Sequence, residues 1–187
     1  MSEYLNYLPD VLNEFEEEDL LAQPNLKTFT GFRNYVLMRL ILNTGLITDE
    51  IRNLKWEDVK IYEGILFVRK DDIRKNRRVY FDFETLEALR DLKKRQSIEI
   101  GSYPHVFTTM DGKPLLKRYI CQMVKRYVNR AYITKDINPY SLRHTYAMKL
   151  YKKTQSLKQI RKELGLAETS NVGIYRLLAN EELSHNY

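Results

Sequence analysis

The chain switches from helical to strand-like patterning and back again, which few folds accommodate. Apolar residues recur at helical spacing over residues 14–21 and 29–44, and Pro24 separates these two segments. From Trp56 the pattern changes to three short β-rich runs, at residues 59–62, 65–68 and 78–81, with a tight-turn signal at Glu63-Gly64. Helical patterning then returns at residues 84–96, 114–132, 141–153, 157–164 and 170–178. Helices on both sides of one small group of strands predict a mainly α fold with a small antiparallel β-sheet (α+β).

The predicted helix at residues 29–44 has a clear stop signal. Gly45 stands where a helix ends in a left-handed residue, so we expect it to be the C-terminal cap. Thr48 is a predicted N-cap for a following short helix, with Asp49 and Glu50 in the first turn, where the helix dipole favours acids. The sequence therefore predicts that the chain turns sharply between two helices at this point.

Length and cysteine content limit the class of protein. The 187 residues predict a single domain, 1–187. Cys121 is the one cysteine, so there is no internal disulfide, and we expect it to pack as a buried thiol. The longest apolar run, residues 35–42, is interrupted by Arg39 and is far shorter than the roughly 20 residues of a membrane helix. Without a signal-peptide pattern after Met1, the expected location is the cytoplasm, with no membrane partner.

The charges are distributed unevenly, although the net charge is only +6. The first 26 residues carry seven acids and no Lys or Arg, whereas residues 113–162 carry fourteen basic residues and the single acid Asp136. A basic excess of this size indicates a partner with dense negative charge, and double-stranded DNA is the first candidate. The alternative is a basic surface without any partner.

Several kinds of site are excluded by residue type and spacing. Cys121 and the three histidines, at positions 105, 144 and 185, are too widely spaced for a metal-ligand cluster. The chain has no glycine-rich phosphate loop, no dinucleotide fingerprint and no serine nucleophile motif. We therefore expect neither a metal ion nor a cofactor.

The remaining candidate chemistry lies in the last third of the chain. Residues 139–147 are predicted to open a helix, and an arginine and a histidine there, Arg143 and His144, are suited to binding a phosphate. Further along, Tyr175 carries a hydroxyl that could attack a phosphodiester and hold the DNA end as a phosphotyrosine. Such a reaction conserves the energy of the broken bond and needs no nucleotide.

On these motifs the chain resembles the tyrosine recombinase (phage integrase) family, specifically its catalytic domain. Leu142-Arg143-His144-Thr145 is similar to the family's second-arginine motif, and the step through Leu164-Gly165-Leu166 to Tyr175 matches the usual spacing. Residues 44–51, followed by Leu54 and Trp56-Glu57-Asp58, resemble the first-arginine segment. Lys75 and Arg77 resemble the β-hairpin lysine motif. The resemblance runs from about residue 8 to residue 178, and the family's N-terminal core-binding domain is expected to be absent.

The resemblance implies a role for each matching residue. Tyr175 would attack the phosphate, Arg143 would hold a non-bridging oxygen, and His144 would help to position the phosphate. Lys75 would protonate the leaving 5′ oxygen, with Lys70 and Arg74 as competitors in the same connection. Glu50 would support the site, or would simply be a charge in the first turn of its helix.

Three positions depart from the family pattern. The first arginine falls on Ile47, the motif histidine on Tyr140, and the later histidine or tryptophan on Leu166. Loss of one preorganised donor typically slows such chemistry by about 10²–10³. The chain is therefore expected to bind DNA but to be catalytically weak or inactive.

The expected DNA contacts are basic residues of the β-hairpin connection and of the 114–132 helix: Arg74, Arg77, Lys117, Arg118, Lys125, Arg126 and Arg130. Two alternatives stay open, an active strand-cleaving recombinase and a protein-interaction module on the same fold. The resemblance further implies assembly on DNA, either with copies of this chain or with an intact recombinase. The polar tail 179–187 is a candidate for exchange between protomers.

Overall fold

The computed structural model describes residues 8–69 and 76–184, which form eight α-helices and three β-strands. The helices are α1 (Glu14–Ala22), α2 (Phe29–Thr44), α3 (Thr48–Asn53), α4 (Phe83–Glu99), α5 (Lys117–Arg130), α6 (Pro139–Thr154), α7 (Leu157–Leu164) and α8 (Ile174–Ser184). The strands are β1 (Val59–Lys60), β2 (Ile65–Val68) and β3 (Arg77–Tyr80). The predicted mainly α class with a small antiparallel sheet is confirmed.

The sheet is a three-stranded antiparallel meander in the order β1-β2-β3. Leu66 faces Val59 on one side and Val79 on the other, and all three side chains are buried. The predicted strand at 59–62 is too long, because residues 61–63 form a single 3₁₀ turn that ends at Gly64. Gly64 has a φ of 64°, a left-handed conformation that glycine adopts without steric cost.

Helix α2 lies at the centre of the main hydrophobic core and packs against both α4 and α6. It is buried on nearly all sides, including at Arg33, which donates hydrogen bonds to Asn34 Oδ1 and to Tyr119 Oη. A second hydrophobic cluster joins α6, α7 and α8, through residues such as Met148, Ile160 and Leu178. Ala179 is also buried in this cluster and α8 continues to Ser184, so the predicted unpacked tail begins too early.

Helix ends show where local signals and tertiary contacts disagree. Gly45 is the left-handed C-cap of α2, as predicted. Thr48 is the first helical residue of α3 and the N-cap is Ile47, so the predicted cap is wrong by one residue. Helix α5 begins three residues later than predicted because Pro114 forms a β-bridge with Thr108. Helix α8 begins at Ile174, four residues later than predicted, because residues 171 and 172 have no regular structure and residue 173 lies in a turn.

Two residues lie at the edge of the core, one of them Cys121, which was expected to be buried. Cys121 is half-buried on α5. Trp56 packs against the core from outside, donates its indole N–H to Gln96 Oε1 at 2.7 Å and lies under the Lys93 ammonium. None of the helices described is long and apolar enough to span a membrane.

Candidate functional site

The hydroxyl of Tyr175 meets an imidazole in the second cluster. Tyr175 Oη lies 3.2 Å from His144 Nδ1, and only 3% of Tyr175 is exposed. Burial raises the pKa of Tyr175 above 10, with Arg143 acting in the opposite direction. Burial and the neighbouring Arg143 lower the pKa of His144 below 6.5. At neutral pH the pair is therefore a neutral phenol beside a neutral imidazole, which is the state in which His144 can accept the phenol proton.

Tyr140 forms the outer end of a row of aromatic rings. Its ring centroid lies 6.4 Å from that of His144, which in turn lies 5.8 Å from that of Tyr175. Tyr140 is 52% exposed, whereas the other two rings are more buried. Solvent therefore reaches this row of rings from the Tyr140 side, near the start of α6.

Arg143 is a buried cation held by backbone carbonyls. Only 6% of it is exposed, and its Nη1 and Nη2 donate to the carbonyls of Gly45 at 2.6 Å and Leu164 at 2.9 Å. Burial lowers the pKa of the Arg143 guanidinium below the ordinary arginine value, and the nearby Glu50 carboxylate opposes that shift. Because a guanidinium stays protonated even so, Arg143 supplies fixed positive charge beside Tyr175. It also ties the ends of α2 and α7 to α6.

A second buried guanidinium is neutralised by an acid. Arg77 donates from Nη1 and Nη2 to the two oxygens of Glu50, at 2.7 and 2.8 Å, and from Nε to the Glu163 carbonyl at 2.9 Å. The two side chains are 8% and 6% exposed. Glu50 also accepts a hydrogen bond from the backbone N–H of Ile47 at 3.1 Å. Glu50 is thus both a first-turn charge of α3 and the acid next to the buried arginines.

The structure brings four of the predicted site residues together: Glu50, Arg143, His144 and Tyr175. Lys75 and Arg74 lie outside the described residues, so their predicted roles stay predictions. Arg77 was predicted only as a DNA contact, and its pairing with Glu50 was missed. The register of β3 carries a signal for it, because Arg77 lies two residues from the buried Val79 and therefore shares its inward face.

The three positions that depart from the family pattern surround this cluster. Ile47 caps α3 and is half-buried, and Leu166 follows α7 and packs at the edge of the second cluster. Neither side chain can donate a hydrogen bond. Tyr140 can donate one, but it carries no positive charge.

The remaining predicted DNA contacts lie together on α5. Lys117, Arg118, Lys125, Arg126 and Arg130 are all exposed. Lys117 lies 3.5 Å from Asp49 across the surface, and Arg126 and Arg130 both contact the ring of Tyr127. Within residues 8–69 and 76–184 no group of three or more His, Cys, Asp or Glu residues could hold a metal ion.

Comparison with known proteins identifies the relatives of this arrangement. The phage integrase family profile matches residues 10–182. The chain belongs to the phage integrase family. Among its relatives, the tyrosine recombinase XerD of Staphylococcus saprophyticus is 29% identical over 187 residues, and that of Staphylococcus aureus is 30% identical over 193. Each match covers 98% of this chain but 63% of the relative, so the chain spans less than two thirds of their length.

Solved structures of two recombinases share the fold. The XerA recombinase superposes with a TM-score of 0.80 at 26% identity, over 97% of this chain and 65% of XerA. The XerH site-specific recombinase bound to its difH substrate in a post-cleavage complex gives 0.81 at 25% identity, over 100% of this chain and 54% of XerH. The predicted family and fold are therefore confirmed.

Proposed function

We propose that this chain is a duplex-DNA-binding domain of the integrase family that takes part in site-specific recombination, and that it cleaves DNA weakly or not at all. It would act in the cytoplasm and would assemble on DNA with a second copy or with an intact recombinase. The observation that carries the proposal is the site itself. A protonated Tyr175 hydroxyl faces His144, while the guanidinium of Arg143 nearby is held by two backbone carbonyls.

Three residues that match the family pattern could together carry out the steps of DNA cleavage. Tyr175 Oη would form a bond to phosphorus as its proton passes to His144 Nδ1. The bond from phosphorus to the 5′ oxygen would break, and that oxygen would need a proton, which Lys75 would supply. The products are a 3′-phosphotyrosine and a free 5′ hydroxyl, and reversal of the same steps rejoins the strand.

The weak point is stabilisation of the transition state. Negative charge grows on the non-bridging oxygens as Tyr175 attacks, and preorganised donors must face those oxygens. Arg143 offers only the N–H groups that Gly45 and Leu164 leave free, and the charge of Arg77 is offset by Glu50. Ile47 and Leu166 provide no hydrogen-bond donor. The rate of strand cleavage is therefore expected to be several orders of magnitude lower than with the family residues at these positions.

A second candidate function, an active recombinase, is favoured by one observation. The 3.2 Å contact between Tyr175 Oη and His144 Nδ1 is within the range required of a nucleophile and its base. A domain that merely retained the fold would not need this contact.

Covalent trapping on DNA separates these possibilities. The wild type and Tyr175→Phe are incubated with nicked difH duplex, which XerH binds, and with random-sequence duplex, with XerH as positive control. Each reaction is run on a native and on a denaturing gel. We expect a native shift without a covalent adduct. An adduct that disappears in Tyr175→Phe would establish the active recombinase instead.

Restoring the family residues provides a gain-of-function test. The triple variant Ile47→Arg, Tyr140→His, Leu166→His is expected to form an adduct on DNA that the wild type only binds. The same triple variant with Tyr175→Phe is the matched control and should form none. Absence of any native shift by the wild type at low salt would favour the protein-interaction alternative.

A further inference from the structure

Helix α1 connects the acidic start of the chain to its basic second half through two ion pairs. Lys135 Nζ donates to Glu16 at 2.6 Å, and Lys149 Nζ donates to the two oxygens of Glu17 at 2.7 and 3.0 Å. Both lysines belong to residues 113–162, which carry fourteen basic residues and one acid. Two neighbouring carboxylates of α1 therefore neutralise two cations that lie 119 and 132 residues further along the chain.

The hydrophobic core does not require these ion pairs. Of the nine residues of α1, only Leu20 is buried, and Leu21 packs partly against the core. An acid in the first turn stabilises a helix through the helix dipole, but this effect does not require that the acid contacts a lysine. Glu14 lies in the same turn and forms no ion pair within the part of the chain that the structure describes. The two ion pairs are therefore a property of the surface.

Both ion pairs are open to exchange with other anions. The side chains of Lys135 and Lys149 are 36% and 43% exposed, and those of their carboxylate partners are 22% and 17% exposed. Ion pairs in contact with water contribute little to stability, because solvent screens the charges. Lys135 also donates to the Val11 carbonyl at 3.0 Å, a contact that an incoming anion need not break, since an ammonium has three N–H donors.

Helix α1 borders the exposed basic face of α5. The two helices pack against each other, and Gln23, directly after α1, lines a depression of about 690 Å³ together with Lys125, Arg126 and Arg130 of α5. Lys135 follows the last residue of α5 by five positions. Without the carboxylates of α1, the two paired lysines would therefore enlarge the surface on which DNA binding is proposed.

We propose that Lys135 and Lys149 form a phosphate-binding site for the DNA backbone, which Glu16 and Glu17 occupy in the free protein, so that α1 competes with DNA. The inference rests on the proposed DNA-binding function and adds regulation by the acidic helix. The ion pairs support it because an ammonium uses the same donors for a carboxylate and for a phosphate oxygen. Binding of duplex DNA then exchanges carboxylates for phosphates, so α1 lowers the DNA affinity of the chain.

The test compares two pairs of acids on the same helix. Glu16→Gln/Glu17→Gln removes the paired carboxylates, whereas Glu14→Gln/Glu18→Gln removes two exposed acids and changes the net charge equally. The full chain is titrated into a fluorescein-labelled random-sequence duplex at about 50–200 mM KCl, and anisotropy gives the dissociation constant. The first variant should bind about tenfold or more tightly than the wild type at about 100 mM, and its slope of log K against log salt should be steeper by about two, one per phosphate gained. The second variant should keep the wild-type slope.

Urea unfolding separates DNA binding from folding. Glu16→Gln keeps a side-chain oxygen that can accept from the backbone N–H of Asn13, as the Glu16 carboxylate does at 2.8 Å, so the cap of α1 is expected to persist. The urea midpoints of both double variants should therefore lie close to that of the wild type. If Glu16→Gln/Glu17→Gln does not fold, Glu17→Gln is compared with Glu18→Gln, and the expected change in slope is about one.

Three outcomes would contradict the proposal or its basis. Equal gains in affinity with unchanged slopes in both double variants would overturn it, because general charge would then set the affinity, and so would a folded Glu16→Gln/Glu17→Gln variant that binds no more tightly than the wild type. Addition of Lys135→Gln/Lys149→Gln to that variant should restore the wild-type slope, and a slope that stays steep would place the new phosphate contacts elsewhere and overturn the site. Failure of the wild type and of every variant to bind any duplex at about 50 mM KCl would instead refute the proposed function.

Discussion

Replacement of Arg77 by methionine tests the buried ion pair beside the site. The variant would leave the Glu50 carboxylate, 6% exposed, without the guanidinium that contacts both its oxygens. Breaking a buried pair from one side costs about 3–5 kcal/mol, because the remaining charge stays desolvated. The carbonyl of Glu163 loses a donor as well, which adds about 1 kcal/mol. For a chain of this size, each kcal/mol lowers Tm by about 2–4 °C, so the expected fall is about 8–24 °C.

The double variant Arg77→Met/Glu50→Met provides the control. It removes both charges, and apolar replacement of a whole pair is often close to neutral. Some loss should persist, since the backbone N–H of Ile47 loses the carboxylate that it bonds to. Urea unfolding followed by circular dichroism gives the free energies of unfolding of the wild type, of Arg77→Met, of Glu50→Met and of the double variant. If Arg77→Met costs less than about 1 kcal/mol, or if the double variant is as unstable as the sum of the single ones, the pair is not coupled as its geometry indicates.

Three further predictions concern groups that position the site. Because the pKa of His144 is lowered in the folded state, the unfolded chain takes up a proton there first as the pH falls below 6.5. The wild type should therefore lose part of its stability advantage over His144→Gln between pH 7.5 and 5.5, as measured by urea titration. Gly45→Ala should cost at least about 2 kcal/mol, because φ is 66° and the new Cβ would lie 2.5 Å from the Tyr146 ring, whereas Gly101→Ala, with φ of 107° and no neighbour nearer than 3.7 Å, should show backbone strain alone. Asn138→Ala should lower the free energy of unfolding by about 1 kcal/mol in the same assay. Asn138 Oδ1 caps α6 by accepting a hydrogen bond from the backbone N–H of Tyr140 at 2.8 Å.

The sequence predicted the bounds of a helix well where its capping residues and its apolar pattern indicate the same ends. Helix α2 has the predicted bounds because Thr28 caps its start and Gly45 ends it in a left-handed conformation. Where a tertiary contact decides, the prediction failed. The β-bridge of Pro114 with Thr108 delays α5, and such a pairing has no signal in the sequence around it.

The candidate site was predictable in its members but not in its connections. Resemblance to the family pointed to Arg143, His144 and Tyr175, and the structure brings them together. It did not indicate that the Arg143 guanidinium would be held by Gly45 and Leu164, since those contacts depend on how α2, α6 and α7 pack. The pairing of the acidic α1 with basic residues near and on α6 was missed for the same reason. Glu16 and Glu17 neutralise Lys135 and Lys149, which reduces the basic excess that the sequence shows.

The buried guanidiniums of Arg143 and Arg77 already have partners within the protein. The proposed DNA affinity and the proposed strand cleavage would therefore depend on different residues. Arg143 and Arg77 hydrogen-bond to carbonyls and to Glu50, so the site is stable without a bound phosphate. Guanidiniums held in this way contribute little to counterion release, which depends on exposed cations that exchange salt for phosphate. The DNA affinity proposed for this chain would therefore come from exposed cations such as those of α5. Under the proposed function, substitutions at Ile47, Tyr140 and Leu166 would therefore change strand cleavage by orders of magnitude, whereas the strength and salt dependence of DNA binding would change much less.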